Sequence, residues 1–214
     1  MSLVDLVHGR WVFARRVDRL ARLLAAHLPG GASVLDIGCG DGSIARAVLD
    51  RRPDLSITGV DVLVRPASRI PVIEYDGVRL PFEDRSFTAA CLVDVVHHAD
   101  DAAQLLAEAA RVACDRVLIK DHLADGRLAQ PTLRLMDRIG NARHGVRLPY
   151  NYLGRADWHE QFAAAGLTVQ SWTTAVGLYP PLLSAVFGRE LHVLFDLRPV
   201  TTASAAVDGV DRGA

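Results

Sequence analysis

The stretch VLDIGCGDGSIA, residues 34–45, constrains the fold of this chain more than any other. An apolar run enters three glycines at every second position and leaves into a helix-forming segment. Such a turn uses backbone conformations that glycine adopts without steric cost. Strand, glycine turn and helix together open a parallel α/β sheet. The pattern repeats downstream: LSITGVDV (55–62), PVIEYD (71–76), FTAACLVDVV (87–96) and DRVLIKD (115–121) read as strands. Residues 43–52, with Ser43 near the cap, and 100–113 read as helices between them. A mostly parallel sheet covered by helices on both faces follows. Between the second and third strands only residues 63–70 remain, with Pro66 inside and Pro71 after. That is too short for a crossover helix, so an irregular or one-turn link is expected.

Residues 3–28 read as a helix, because Val12, Val17, Leu20, Leu24 and Leu28 recur near a 3.6 period, and Pro29-Gly30-Gly31 ends it. Beyond Asp121 the pattern changes. Residues 122–154 are rich in Arg, His, Asn and Tyr, with a helix expected at 130–140. Residues 155–166 read as a helix, and 167–176 and 190–198 as two strands joined by a Pro-containing link. One domain over residues 1–200 is expected, with a small, polar, disordered tail from Thr201.

With 214 residues, half of them hydrophobic, the chain can build one full core. Its 24 basic and 25 acidic residues leave a net charge of −1, which argues against nucleic acid as its partner. Cys39, Cys91 and Cys114 lack zinc-knuckle spacing and read as reduced thiols of a cytoplasmic protein. The N-terminus has no secretory h-region, and no apolar run is long enough to span a bilayer.

Parallel sheets bind ligands beyond the carboxyl ends of their strands. Four expected strands place an acid there: Asp36, Asp61, Asp76 and Asp94. Any one alone reads as a loop carboxylate or helix cap; four on one edge point to a site. A dinucleotide would bring pyrophosphate against Asp36 and Asp41, and Ser43 stands where its fingerprint needs a third glycine. S-adenosylmethionine has no phosphate. It carries a sulfonium and an ammonium, which suit carboxylates, while Gly38, Gly40 and Gly42 around Cys39 and Asp41 let the backbone approach closely. Asp61 can accept both ribose hydroxyls, and Asp76 can receive the adenine amino group.

The segments VLDIGCGDG, GVDV, DGVRLPFEDRSFTAACLVDVVHHADD and LLAEAARVACDRVLIKDH resemble class I S-adenosylmethionine-dependent methyltransferases over roughly residues 30–121. The nearest subgroup is the broad one that includes the ubiquinone/menaquinone-type enzymes. The resemblance implies a Rossmann-like, doubly wound, seven-stranded sheet with an antiparallel last strand. It implies Asp36, Gly38, Cys39, Gly40 and Asp41 at the methionine end, Asp61 at the ribose and Val62 beside the adenine. Asp76 and Gly77 would stand at the adenine rim, and Val93 and Asp94 near the methionine. Two departures stand out: the short link after Asp61 truncates a helix that usually flanks the adenine, and IKDH (119–122) replaces a common glutamate-proline pair.

On this reading the chain is an enzyme acting on a small-molecule acceptor, with His97, His98 and His122 as candidate catalytic groups on the same edge. Residues 122–154 are a candidate lid, and Tyr150 and Tyr152 either line the acceptor or pack the loop onto the sheet. Trp11 either covers the cofactor or packs its helix. No metal is expected, because adjacent His97 and His98 with Asp101 rarely aim at one ligand position. The alternatives are a catalytically idle cofactor-binding subunit and an NAD(P)-dependent oxidoreductase, the latter opposed by the acidic loop. Oligomeric state, acceptor and methylated atom are not readable from the sequence.

Overall fold

The computed structural model describes residues 3–141, 150–179 and 190–200. Helix α1 (Leu3–His27) leads into β1 (Ser33–Ile37), α2 (Ser43–Leu49), β2 (Ser56–Asp61), β3 (Val72–Glu74) and β4 (Phe87–Val93). A 3₁₀ turn at Val96–His98 precedes α3 (Ala102–Val112) and β5 (Ala113–His122). Then come α4 (Ala129–Asn141), α5 (Arg155–Ala164), β6 (Leu167–Thr173) and β7 (His192–Pro199). The sheet runs β3-β2-β1-β4-β5-β7-β6. Strand β1 pairs in parallel with both β2 and β4, so Leu35 stands opposite Thr58 on one side and Ala90 on the other. Only β7 is reversed, antiparallel to β5 and to β6. This is the Rossmann-like, seven-stranded sheet that the resemblance implies.

Alternation along the strands divides the core between two faces. Leu35, Ile37, Leu92, Val117 and Ile119 pack with Leu106, Ala109, Trp158 and Phe162 of α3 and α5. Val34, Ala89, Cys91 and Leu118 turn to the other face, against Ala21, Leu24, Ala45 and Val48 of α1 and α2. The helix after β1 and the helix after β4 therefore lie on opposite faces, which opens a crevice at the carboxyl ends of these neighbouring strands.

The short link after β2 forms no regular element. Ile70 within it is buried and does part of a helix's work, reaching under the glycine turn: a Cβ on Gly42 would meet its Cγ1 at 2.6 Å. Strand β4 ends three residues sooner than the apolar run suggests, because Asp94 adopts φ 56° and turns the chain. At α2 the cap is Gly42, in the left-handed region, rather than Ser43. The expected tail from Thr201 and residues 142–149 of the expected lid lie outside the described residues, as does the side chain of Trp11. No helix among the described residues is long and apolar enough to cross a membrane.

Candidate active site

The glycine turn is folded back onto the end of β2. The amides of Gly38 and Cys39 both donate to the Val60 carbonyl, at 2.8 and 3.2 Å. Gly38, Gly40 and Gly42 have φ of 70°, 59° and 71°, where a side chain is strained. Gly38 is also closed sterically, since a Cβ there would lie 2.6 Å from Val95 Cγ2. Cys39 tucks beneath the turn: a Cβ on Gly59 would meet its Sγ at 2.5 Å. Burial, then the charges of Asp36 and Asp61, push its thiol up to about 12, so it is no nucleophile. All three cysteines are free.

Asp61 joins the turn to the strand that carries it. Its Oδ2 accepts the Gly40 amide at 2.8 Å and its Oδ1 the Leu63 amide at 3.0 Å. Each oxygen retains a second lone pair, the pair of acceptors that vicinal hydroxyls require. Beyond it, Asp76 is exposed and accepts the amides of Val78 and Arg79 through Oδ1, at 2.8 and 2.9 Å. Those bonds hold its carboxyl below its ordinary range. A Cβ on neighbouring Gly77 would lie 3.2 Å from Val62 Cγ1, and Val62 itself is exposed. Asp41 turns away, taking the Ser43 amide and hydroxyl at 3.0 and 2.7 Å.

Asp36 differs from the other acids. It is buried, and among the described residues no cation pairs with it. Burial first, then the charge of Asp61, raises its carboxyl to about 7. A carboxyl buried in this way either keeps a proton or takes a positive ligand.

The ends of β4 and β5 carry a second polar group that sequence reasoning only partly found. Asp94 is gripped by Lys120 and by Arg16 of α1. Burial acts to raise the Asp94 carboxyl, but Lys120, then Arg16, outweigh it and hold it well below the carboxylate range. The Lys120 ammonium is fully buried and donates to His192 Nδ1 at 3.2 Å. Burial pulls its pKa down while Asp94 opposes. Val93, beside this group, is part-buried and packs with Leu20, Val176 and Leu178.

Asp121 is the hub of the neighbouring cluster. Its Oδ1 lies 2.6 Å from His97 Nδ1, 3.2 Å from His122 Nδ1 and 2.7 Å from the His122 amide. Its Oδ2 accepts the Val96 amide at 3.0 Å. Burial lowers the His122 pKa, and lowers that of His192 further. Tyr152 is buried, its ring 5.6 Å from that of His97 and 5.7 Å from that of His122. Tyr150 stands 6.2 Å from Tyr152 with Arg134 over its face, and the His98 ring lies tilted against that of His97 at 4.0 Å. Asp101 does not join, since its side chain caps α3 at Gln104. An open cleft of about 240 Å³ lies alongside, lined by Val176, Gly177, Leu178, Tyr179 and His192 among others.

The structure thus gathers His97, His122 and Tyr152 around an acid that the sequence reading did not assign. Arg16, Lys120, Asp121 and His192 were missed. The usable signal was the run of three ionisable residues, 120–122, directly after the apolar Val117-Leu118-Ile119.

Comparisons with known proteins agree on one family. Residues 8–171 match a methyltransferase domain. Trans-aconitate 2-methyltransferase of Methylobacterium nodulans is 29% identical over 181 residues, spanning 76% of this chain and 68% of that protein. The 27-O-demethylrifamycin SV methyltransferase of Amycolatopsis mediterranei is 31% identical over 130 residues, 50% of this chain and 47% of that one. The crystal structure of the cyclase SpnF superposes with a TM-score of 0.63 at 21% identity, covering 86% of this chain and 81% of its own, and so shares the fold. The glycine turn, the acids at the strand ends and the matched domain have one meaning: the chain belongs to the class I S-adenosylmethionine-dependent methyltransferases.

Proposed function

We propose that this protein binds S-adenosylmethionine along the carboxyl edge of β1, β2 and β4 and methylates a small-molecule acceptor. The observation that carries the reading is buried Asp36, without a cationic partner among the described residues, beside a glycine turn too tight for side chains. The methionine ammonium and sulfonium would supply the missing positive charge. Asp61 would hold the ribose hydroxyls with the two lone pairs it keeps, Asp76 the adenine amino group, and Val62 with Gly77 the adenine face. Gly38, Gly40 and Val93 would admit the methionine part. The cofactor supplies a methyl group already activated on positive sulfur. What is left to the chain is alignment, worth about 7–11 kcal/mol in favourable cases, and exclusion of water.

The acceptor would lie against the ends of β4 and β5, where His97, His98 and His122 converge, with Tyr150 and Tyr152 and the cleft beside His192. A small acceptor suits that cleft, and the two relatives named above are methyltransferases of trans-aconitate and of 27-O-demethylrifamycin SV.

Calorimetry with S-adenosylhomocysteine should show one site with micromolar or tighter Kd, about −8 kcal/mol, and no comparable heat with NAD(P). Tight NAD(P) binding without a response to S-adenosylhomocysteine would sink the reading. Incubating a metabolite pool with isotopically labelled S-adenosylmethionine, followed by mass identification of the labelled product, would identify the acceptor.

A further inference from the structure

In the His97–Asp121–His122 cluster the donors crowd onto one oxygen of the carboxylate. Oδ1 of Asp121 faces three nitrogens, at 2.6, 2.7 and 3.2 Å, although a carboxylate oxygen has two lone pairs. The two imidazoles address it through the same atom, and those Nδ1 atoms stand only 3.4 Å from each other. With both rings protonated on Nδ1, a purely hydrogen-bonded cluster would direct two protons at one crowded oxygen. All three residues are buried, so water cannot relieve the crowding.

We propose that His97 Nδ1, His122 Nδ1 and Asp121 Oδ1 form a binding site for a divalent transition-metal ion of the zinc type, with one coordination position left open. The three atoms lie within 4.8 Å of one another. Ligands of a tetrahedral zinc ion, at about 2.0–2.2 Å from the metal, stand about 3.3 Å apart. Two edges of the triangle, 3.2 and 3.4 Å, already match; the third, 2.6 Å, has to open by a few tenths of an ångström. An ion about 2.1 Å from all three sits roughly 1 Å above their plane, which leaves its far side free for water or an acceptor heteroatom. His122 Nδ1 meets hydrogen-bond geometry toward both His97 Nδ1 and Asp121 Oδ1, so it aims between them, where an ion would lie.

The surroundings are those of a supported site. Oδ2 of Asp121 is fixed by the Val96 amide, and the His122 carbonyl by Trp158 Nε1 at 3.1 Å. Tyr152 stacks on the His97 ring. These contacts hold the carboxylate, the backbone at His122 and the face of the His97 ring in place. The nearby Lys120 ammonium is engaged by Asp94 and His192. The expectation against a metal failed to consider these residues: it weighed His97 with His98 and Asp101, whereas the last two positions of β5 bring Asp121 and His122 to one point.

The test is direct metal binding by the full-length, untagged protein after chelator treatment. Titration with Zn²⁺ should saturate at one ion per chain. Co²⁺ should give the intense visible bands of a four-coordinate ion. His97→Gln and His122→Gln should each weaken Zn²⁺ binding by about tenfold or more and abolish the cobalt bands, while exposed His159→Ala changes neither. Asp121→Asn should do the same; if it does not fold, the two histidine variants decide the matter. No stoichiometric binding by the wild type, or binding that survives His97→Gln and His122→Gln, would overturn the proposal and leave a hydrogen-bonded cluster. The proposal does not rest on the cofactor reading, which S-adenosylhomocysteine calorimetry tests separately.

Discussion

Asp61 has two jobs that pull its mutants in two directions. As a ribose acceptor, its loss should weaken cofactor binding at least tenfold, since charge-assisted hydrogen bonds are worth about 1.5–3 kcal/mol each before water compensates. Read from the sequence, Asp61→Ala should scarcely move the melting temperature of the free protein. The structure changes that expectation, because the same carboxylate ties the Gly40 and Leu63 amides. Part-exposure discounts these bonds, so Asp61→Ala should cost roughly 1–2 kcal/mol, a fall of several degrees in a thermal melt of the free protein. An unchanged melting temperature would show that the turn holds without it. Asp36 governs pH. Its carboxyl lies at about 7 in the native state against 3.8 ordinarily, so between these values the native chain keeps a proton the unfolded chain has released. Stability of the free protein should therefore fall as pH rises from about 4 to 7. The ammonium of S-adenosylhomocysteine, set beside Asp36, would favour the ionised form, so this ligand should bind more tightly as pH rises toward about 7, with proton release seen as buffer-dependent heat. Asp36→Asn should abolish both trends; pH trends that persist in that variant would remove Asp36 from the account.

Elements were legible where local chemistry decides them. The glycine turn, the short link with its two prolines and the alternation of apolar runs with helical stretches all fell where expected. Strand β4 was read three residues too long because FTAACLVDVV is apolar nearly throughout, and nothing local marks Asp94 as the turning point. There its backbone is left-handed and its carboxylate meets Lys120 and Arg16, neither of them a neighbour in sequence. Strand β5 extends past both limits of the reading, since β4 pairs it at Ala113 and β7 as far as His122. The link after β2 makes a prediction of its own. Ile70 is buried under the glycine turn in place of a helix. Ile70→Ala should destabilise the protein by about 2–4 kcal/mol in urea unfolding and loosen the turn, weakening cofactor binding from beneath the site. A full loss of affinity with no change in stability would mean that Ile70 is not packed as described.

At the scale of the molecule, the two halves of the candidate site differ in how readable they are. The cofactor half is built from strand ends, so each acid announces itself beside its own strand. The other half is assembled from distant parts: Arg16 lies 78 residues from Asp94, and Lys120 lies 72 from His192. No spacing rule connects them. Lys120→Met should show what this junction of α1, β4, β5 and β7 contributes. Asp94 keeps Arg16 as its counter-charge, so the loss should stay below the roughly 3–5 kcal/mol of a buried charge left without one, and Asp94→Asn should cost less in that background than in the wild type. Strict additivity of the two substitutions would deny the coupling. The reversed strand β7 has a consequence for how the protein comes into being. Strand β6 touches the sheet only through β7, yet the ribosome makes it first. A nascent chain emerging as far as Thr173 therefore holds a strand with no place to dock, and an open edge along β5 where Lys120, Asp121 and His122 are still wet. Both wait for residues 192–199, so the sheet is completed in one late event during synthesis, and until then its open edge is the part most in need of a chaperone.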